Sequence, residues 1–133
     1  MKVEHIGIAV KNLADSDQLF STLFGQQPYK HETVESEAVR TSFFQLGETK
    51  IELLEATAPH SAIARFLEKK GEGMHHIAFE VADIHAEMAR LRAEGFRLLN
   101  DAPKQGADNK LVCFVHPKDC NGVLVELCQE IRS

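Results

Sequence analysis

The chain repeats itself, and that repeat limits the folds open to it more than any other feature. The run His5-Ile6-Gly7-Ile8-Ala9-Val10 returns 71 residues later as His76-Ile77-Ala78-Phe79-Glu80-Val81. Each copy is followed by a turn and then a helical pattern. A second run, Ile51-Glu52-Leu53-Leu54, returns 74 residues later as Val125-Glu126-Leu127-Cys128. Two correspondences in the same order, at nearly the same offset, describe two copies of one module. The copies span about residues 1–58 and 72–133, with residues 59–71 joining them. At 133 residues the chain can bury a stable core as a single domain made of both copies.

Each module reads as β-α-β-β-β. Residues 3–10 alternate, with Ile6, Ile8 and Val10 on one face and His5, Gly7 and Ala9 on the other. Asn12 caps a helix whose apolar stripe is Leu13, Leu19, Phe20 and Leu23, and Gly25 closes it. Strands are predicted at 27–33, 39–46 and 49–54, with Gly47-Glu48 as the hairpin turn. In the second copy residues 76–81 form the first strand, Asp83 caps a helix and Gly95 ends it. Strands are predicted there at 96–99, 111–116 and 123–128, with residues 100–110 as a mobile flap rich in Pro, Gly, Asp and Asn. The joining segment holds a short amphipathic helix carrying Ala62, Ile63, Phe66 and Leu67. The expected fold is α+β: tandem βαβββ modules forming one curved eight-stranded mixed sheet around a cleft.

Strand parity places four polar residues together on the face away from the helices. His5 and His76 share that face with small residues, and Glu52 and Glu126 lie opposite their apolar strand neighbours. A carboxylate in an apolar cleft is unfavourable unless it is paired or coordinated. Two imidazoles and two carboxylates suit one divalent ion with positions left for water or substrate. The mixed N/O set favours Zn, Mn, Fe, Co or Ni over calcium. The competing reading is that each of these residues is an ordinary solvated strand residue. The duplication weighs against it, because both copies place His on the first strand and Glu on the last. His116, ending a strand beside the cleft, is held in reserve, and His75 points away from the ligand face.

Composition narrows the partners. Hydrophobic residues make up 44% and charged residues 26%, as in ordinary soluble globular proteins. A net charge of -5 and no Lys/Arg run argue against nucleic acid and membrane as partners. No apolar stretch approaches the roughly 18 residues of a membrane span, and the first residues do not read as a secretory leader. Three cysteines, Cys113, Cys120 and Cys128, without CxxC spacing, argue against a disulfide framework. A cytoplasmic protein is expected. GxSxG, Walker A and GxGxxG motifs are absent from the sequence.

The chain resembles the vicinal oxygen chelate superfamily, which includes glyoxalase I. Along nearly its whole length it is similar to methylmalonyl-CoA epimerases. The residues that carry this are His5-Ile-Gly-Ile-Ala-Val, the stretch from Leu46 to Glu55, Gly73-Met-His-His-Ile-Ala, and the stretch from His116 to Leu127. The resemblance implies epimerisation of (2R)- and (2S)-methylmalonyl-CoA by removal and return of the C2 proton through a metal-stabilised enolate. It implies His5, Glu52, His76 and Glu126 as ligands of one cobalt, manganese, zinc or nickel ion. Glu126 would also transfer protons, with Glu52 a candidate for the second catalytic role. Some family members carry a second base where this chain has Thr41, which is a poor base. For the acyl-CoA substrate the candidate contacts are Thr41, Lys104, Lys110, Lys118 and His116, with Arg40 a further cation. A homodimer is expected from the family. The alternatives are a glyoxalase I-like enzyme acting on a thiol adduct, a ring-cleaving dioxygenase and a non-catalytic binding module. The dioxygenase uses only three ligands, and binding modules of this superfamily usually lose some.

Overall fold

Two internal signals dominate the backbone: caps that start each helix, and strand alternation that gives each sheet two different faces. The computed structural model describes residues 1–132. It separates into two compact units, His5–His75 and Met1–Glu4 with the chain from His76 onward.

The elements of the first unit are β1 (Lys2–Ala9, whose first residues group with the second unit), α1 (Leu13–Phe24), β2 (Lys30–Val34), β3 (Val39–Leu46), β4 (Thr49–Ala56) and α2 (Ala62–Lys70). Its strands lie in the order β2-β3-β4-β1, with β1 parallel to β4 and β2-β3-β4 antiparallel. The Asn12 side chain accepts from the Asp15 backbone N–H, and Gly25 ends α1 at φ 70. Leu46 pairs with Thr49 across the two-residue turn, where Gly47 takes φ 63. That left-handed angle is open to glycine without the Cβ clash other residues meet.

The second unit contains most of β5 (Gly73–Glu80), α3 (Ile84–Ala93), β6 (Lys104–Gln105), β7 (Lys110–Val115) and β8 (Val125–Glu130). Its strands lie in the order β5-β8-β7-β6, with β5 parallel to β8 and β6-β7-β8 antiparallel. Asp83 caps α3 by accepting from the Ala86 backbone N–H. The tandem βαβββ arrangement is therefore the one the repeat predicts.

The core has the same plan in both units. Val10, Leu13, Phe44 and Leu53 pack under α1 with Phe20, Phe24, Ile8 and Ile51. Val81, Ile84, Met88, Leu91, Cys113, Val115 and Leu127 pack under α3. Each helix is also tied to its sheet by one side chain. Glu55 Oε2 accepts from the Leu13 N–H at 2.8 Å, and Gln129 Oε1 accepts from the Ile84 N–H at 2.7 Å. Both acceptors sit three residues beyond the candidate ligand of their strand, so one short segment serves the helix start on one face and the site on the other.

Several predicted details differ. Leu19 and Leu23 are 59% and 68% exposed, because α1 turns Asp17 and Ser21 inward with Leu13, Phe20 and Phe24 instead. Asp17 meets His31 there at 2.7 Å. The predicted strand at 96–99 is reduced to a bridge, Leu98 to Val115. Asn100 Oδ1 takes the Phe114 N–H at 2.9 Å, so a side chain replaces the next ladder bond, and pairing restarts only at Lys104. The predicted flap at 100–110 is anchored by that bond, by Arg92 donating to the Asn100 and Asp101 carbonyls, and by Gly106 N–H donating to the Lys110 carbonyl. The helix of the joining segment is a third core element. Ile63 of α2 packs on Ala9 and Leu54, with Phe66, Leu67, Val39 and Ala56 around them, on the sheet face opposite α1.

Candidate active site

Register explains why each unit buries a histidine beside a glutamate. Gly7 pairs with Glu52 and Ala78 pairs with Glu126 across the parallel strands. With no side chain or a single methyl directly opposite, each glutamate has room to lean toward the histidine two residues earlier. His5 Nδ1 lies 3.1 Å from Glu52 Oε2, and His76 Nε2 lies 3.3 Å from Glu126 Oε1. All four residues are buried. In the first unit Phe43 and Thr41 share the face of Glu52, since Phe43 pairs directly with it and Thr41 with Leu54. In the second unit Ala78, Val112 and Cys128 form an apolar patch with Phe114 on the face of His76 and Glu126. The Phe114 ring stands edge-on to the His76 imidazole with centroids 6.0 Å apart.

These donors fit a transition-metal ion. Bonds of about 2.1 Å at roughly right angles put two ligand atoms about 3 Å apart, the spacing found in each pair. Nitrogen and carboxylate oxygen are also the donor types that such ions accept. Each contact sets a buried imidazole nitrogen beside a buried carboxylate oxygen, so that the two donors of a pair lie side by side.

The other predicted residues divide. Thr41 is 1% exposed and offers a hydroxyl where an acid would be needed. Lys104 reaches over the Phe114 ring, 6.0 Å from its centroid. Lys110 is buried at the start of β7. His116 caps the short 3-10 turn Pro117–Asp119 by accepting the Lys118 N–H on Nδ1 at 3.1 Å. The exposed Lys118 and the structural use of that imidazole place both in a surface turn. Asp119 in the same turn is held to Arg97 at 2.8 Å, and this guanidinium lowers its carboxyl to about 2. His75 packs against Phe66, ring centroids 5.0 Å apart, and burial lowers its imidazole to about 4, so it is neutral near pH 7. Cys113 and Cys128 are buried free thiols, and burial raises both above the ordinary range.

The sequence reading did not single out Phe114, Glu55 or Gln129. The last two carry a signal in the repeat itself, since each follows its glutamate by three residues in the two copies. Phe114 has none, because a large apolar residue in a strand reads equally as core.

Residues 4–114 match the family model of the Glyoxalase/Bleomycin resistance protein/Dioxygenase superfamily, to which the chain therefore belongs. A Streptomyces coelicolor methylmalonyl-CoA epimerase variant, solved in complex with 2-nitronate-propionyl-CoA, is similar with a TM-score of 0.95 and 36% identity, covering 99% of each chain. The mitochondrial methylmalonyl-CoA epimerase of Dictyostelium discoideum is 43% identical over 127 residues, 95% of this chain and 76% of that protein. The ethylmalonyl-CoA/methylmalonyl-CoA epimerase of Cereibacter sphaeroides is 42% identical over 130 residues, 96% of this chain and 97% of that one. Within the superfamily the chain belongs to the methylmalonyl-CoA epimerases. Among the described residues no helix is long and apolar enough to cross a membrane.

Proposed function

We propose that this enzyme, an isomerase, interconverts (2R)- and (2S)-methylmalonyl-CoA by removing the C2 proton and returning it to the opposite face. The observation that carries the reading is the pair of repeat-related, buried His–Glu contacts, at 3.1 and 3.3 Å, in a chain about 40% identical to epimerases along almost all its length. His5, Glu52, His76 and Glu126 would be the ligands of one divalent ion, cobalt, manganese, zinc or nickel. A divalent ion bound there supplies Lewis acidity to the thioester carbonyl oxygen and so favours loss of the C2 proton.

The chain's own residues supply the proton chemistry. His5 and His76 are neutral donors whose positions are set by the carboxylates beside them. Glu126 takes the C2 proton on one face. On the other face Thr41 has no proton-accepting carboxylate to offer, which leaves Glu52, one register step away across β3 and β4, to return a proton. The buried apolar patch of Ala78, Val112, Cys128 and Phe114 keeps water from Glu126. The reading takes the enzyme to be cytoplasmic and homodimeric.

Glutamine at either position keeps shape and a ligating oxygen while removing the base. Glu126→Gln and Glu52→Gln are each expected to lower kcat by about two to four orders of magnitude, measured by coupled assay from the (2S) epimer. Wild-type turnover by Glu126→Gln would remove Glu126 from the proton path.

A further inference from the structure

Each unit sets a lysine ammonium over the phenylalanine that pairs with its buried glutamate. In the first unit Phe43 of β3 pairs directly with Glu52 on one side and with Lys30 on the other. Lys30 Nζ lies 4.5 Å from the centroid of the Phe43 ring. In the second unit Phe114 pairs directly with Glu126, and Lys104 Nζ lies 6.0 Å from the Phe114 centroid. The chain before each lysine is fixed in the same way. The Tyr29 N–H donates to the Phe43 carbonyl at 2.9 Å, and the Leu99 N–H donates to the Phe114 carbonyl at 2.8 Å.

The two ammonium groups reach their rings from places that do not match. Lys30 stands directly across from Phe43 and follows Tyr29 at once, whereas Lys104 pairs with Val112 and comes well after Leu99. A module copied whole would carry its lysine at one register position in both units. Arrival at the same ring by two routes points to a use for the charge itself. Directly paired residues project from one face of a sheet, so Lys30, Phe43 and Glu52 share the functional face of their unit. There the Glu52 carboxylate repels any anion that approaches, and a fixed cation nearby offsets that repulsion. The ring holds the ammonium by a cation–π contact and carries no net charge to cancel it. Glu32, two residues along β2, adds an ion pair at 3.6 Å. An ammonium has three N–H donors, so it can keep that partner and serve a further acceptor. The Lys30 side chain is 37% exposed, open to a ligand lying over Phe43.

We propose that Lys30 is a substrate-binding cation of this enzyme, its ammonium held over Phe43 to receive an anionic group of the acyl-CoA, the malonyl carboxylate or a coenzyme phosphate. This inference rests on the acyl-CoA reading above and gives it a specificity-determining residue that the sequence reading passed over.

The test is the equilibrium affinity of wild type, Lys30→Met and Lys30→Arg for three ligands. Malonyl-CoA carries both kinds of anion, malonyl-pantetheine only the carboxylate, and propionyl-CoA only the phosphates. Methionine keeps an apolar stem over the Phe43 ring and removes the charge. Losing one charge-assisted contact should weaken binding by about ten- to a hundredfold, and Lys30→Arg should recover most of it. Weakening confined to the two malonyl ligands identifies the carboxylate as the group received. Weakening confined to the two coenzyme A ligands identifies a phosphate. Unchanged affinity for all three, or equal weakening of all three, overturns the proposal and leaves Lys30 a structural partner of Phe43 and Glu32. Lys69→Met, at the exposed end of α2, removes the same net charge and should bind all three as wild type does. A loss there as large as that in Lys30→Met would also overturn the assignment, since net charge alone would explain both. If wild type itself binds none of the ligands, the acyl-CoA reading falls and takes this assignment with it. Lys30→Gln replaces the methionine variant if the latter does not fold.

Discussion

Two buried imidazoles, each within 3.3 Å of a buried carboxylate, are an unusual concentration of polarity for strands that otherwise alternate cleanly. Such pairs persist where a function needs them, since apolar residues of similar volume would pack as well. If they are ligands, removing one imidazole should cost metal before it costs the fold. His76→Ala is expected to lose detectable binding of added cobalt in calorimetric titration and to lose turnover. It should still unfold cooperatively on heating, because the apolar core under α3 does not include His76. Tight cobalt binding by this variant would remove His76 from the ligand set. At this scale the sequence was informative because parity is simple: His5 with Gly7 and Ala9, or Glu52 between Ile51 and Leu53, can share a face in only one way. Parity says nothing about distance or exposure. Lys104, Lys110, Lys118 and His116, chosen for their place near the 100–110 segment and the turn after it, stood as equals, although the fold buries one, engages one with a ring, exposes one and makes one a turn cap.

Among the elements, the helix starts are the joints that couple core to site. Glu55 and Gln129 each satisfy the first backbone N–H of a helix from the strand that carries a candidate ligand. Unsatisfied N–H groups at a helix start are costly when partly buried. Glu55→Ala and Gln129→Ala should each destabilise the protein by about 1–2 kcal/mol in urea denaturation, with the slope against urea unchanged. An effect near zero would mean that water replaces these acceptors without loss. Element boundaries were legible where a local signal exists, as with Asn12, Asp83, Gly25 and the Gly47-Glu48 turn. They were not legible at residues 96–105, where Asn100 takes a ladder bond through its side chain, nor on α1, where the contact of Asp17 with His31 turns Leu19 and Leu23 outward. Both depend on partners distant in the chain. The role of α2 was hidden for the same reason, since its amphipathic pattern shows an apolar face without saying which sheet face receives it.

For the whole molecule, duplication is the organising fact. Each copy supplies one histidine, one glutamate, one helix and one tether, at offsets of 71 or 74 residues throughout. The copies diverge where substrate recognition would make them diverge. In the first unit α2, from the joining segment, closes the far end of the functional face, and in the second that end of the face carries the largely covered Lys110 at the start of β7. Such a division leaves the metal and proton chemistry to what the copies share, and the shape of the substrate to what they do not. The central claim is that the metal-loaded protein labilises the C2 proton of an acyl-CoA. The most direct measurement is proton NMR of methylmalonyl-CoA incubated with the cobalt-loaded enzyme in deuterated water. The account predicts loss of the C2 proton signal at a rate proportional to enzyme, abolished by a chelator and restored by added metal. A C2 signal that persists with cobalt, manganese, zinc and nickel alike would contradict it.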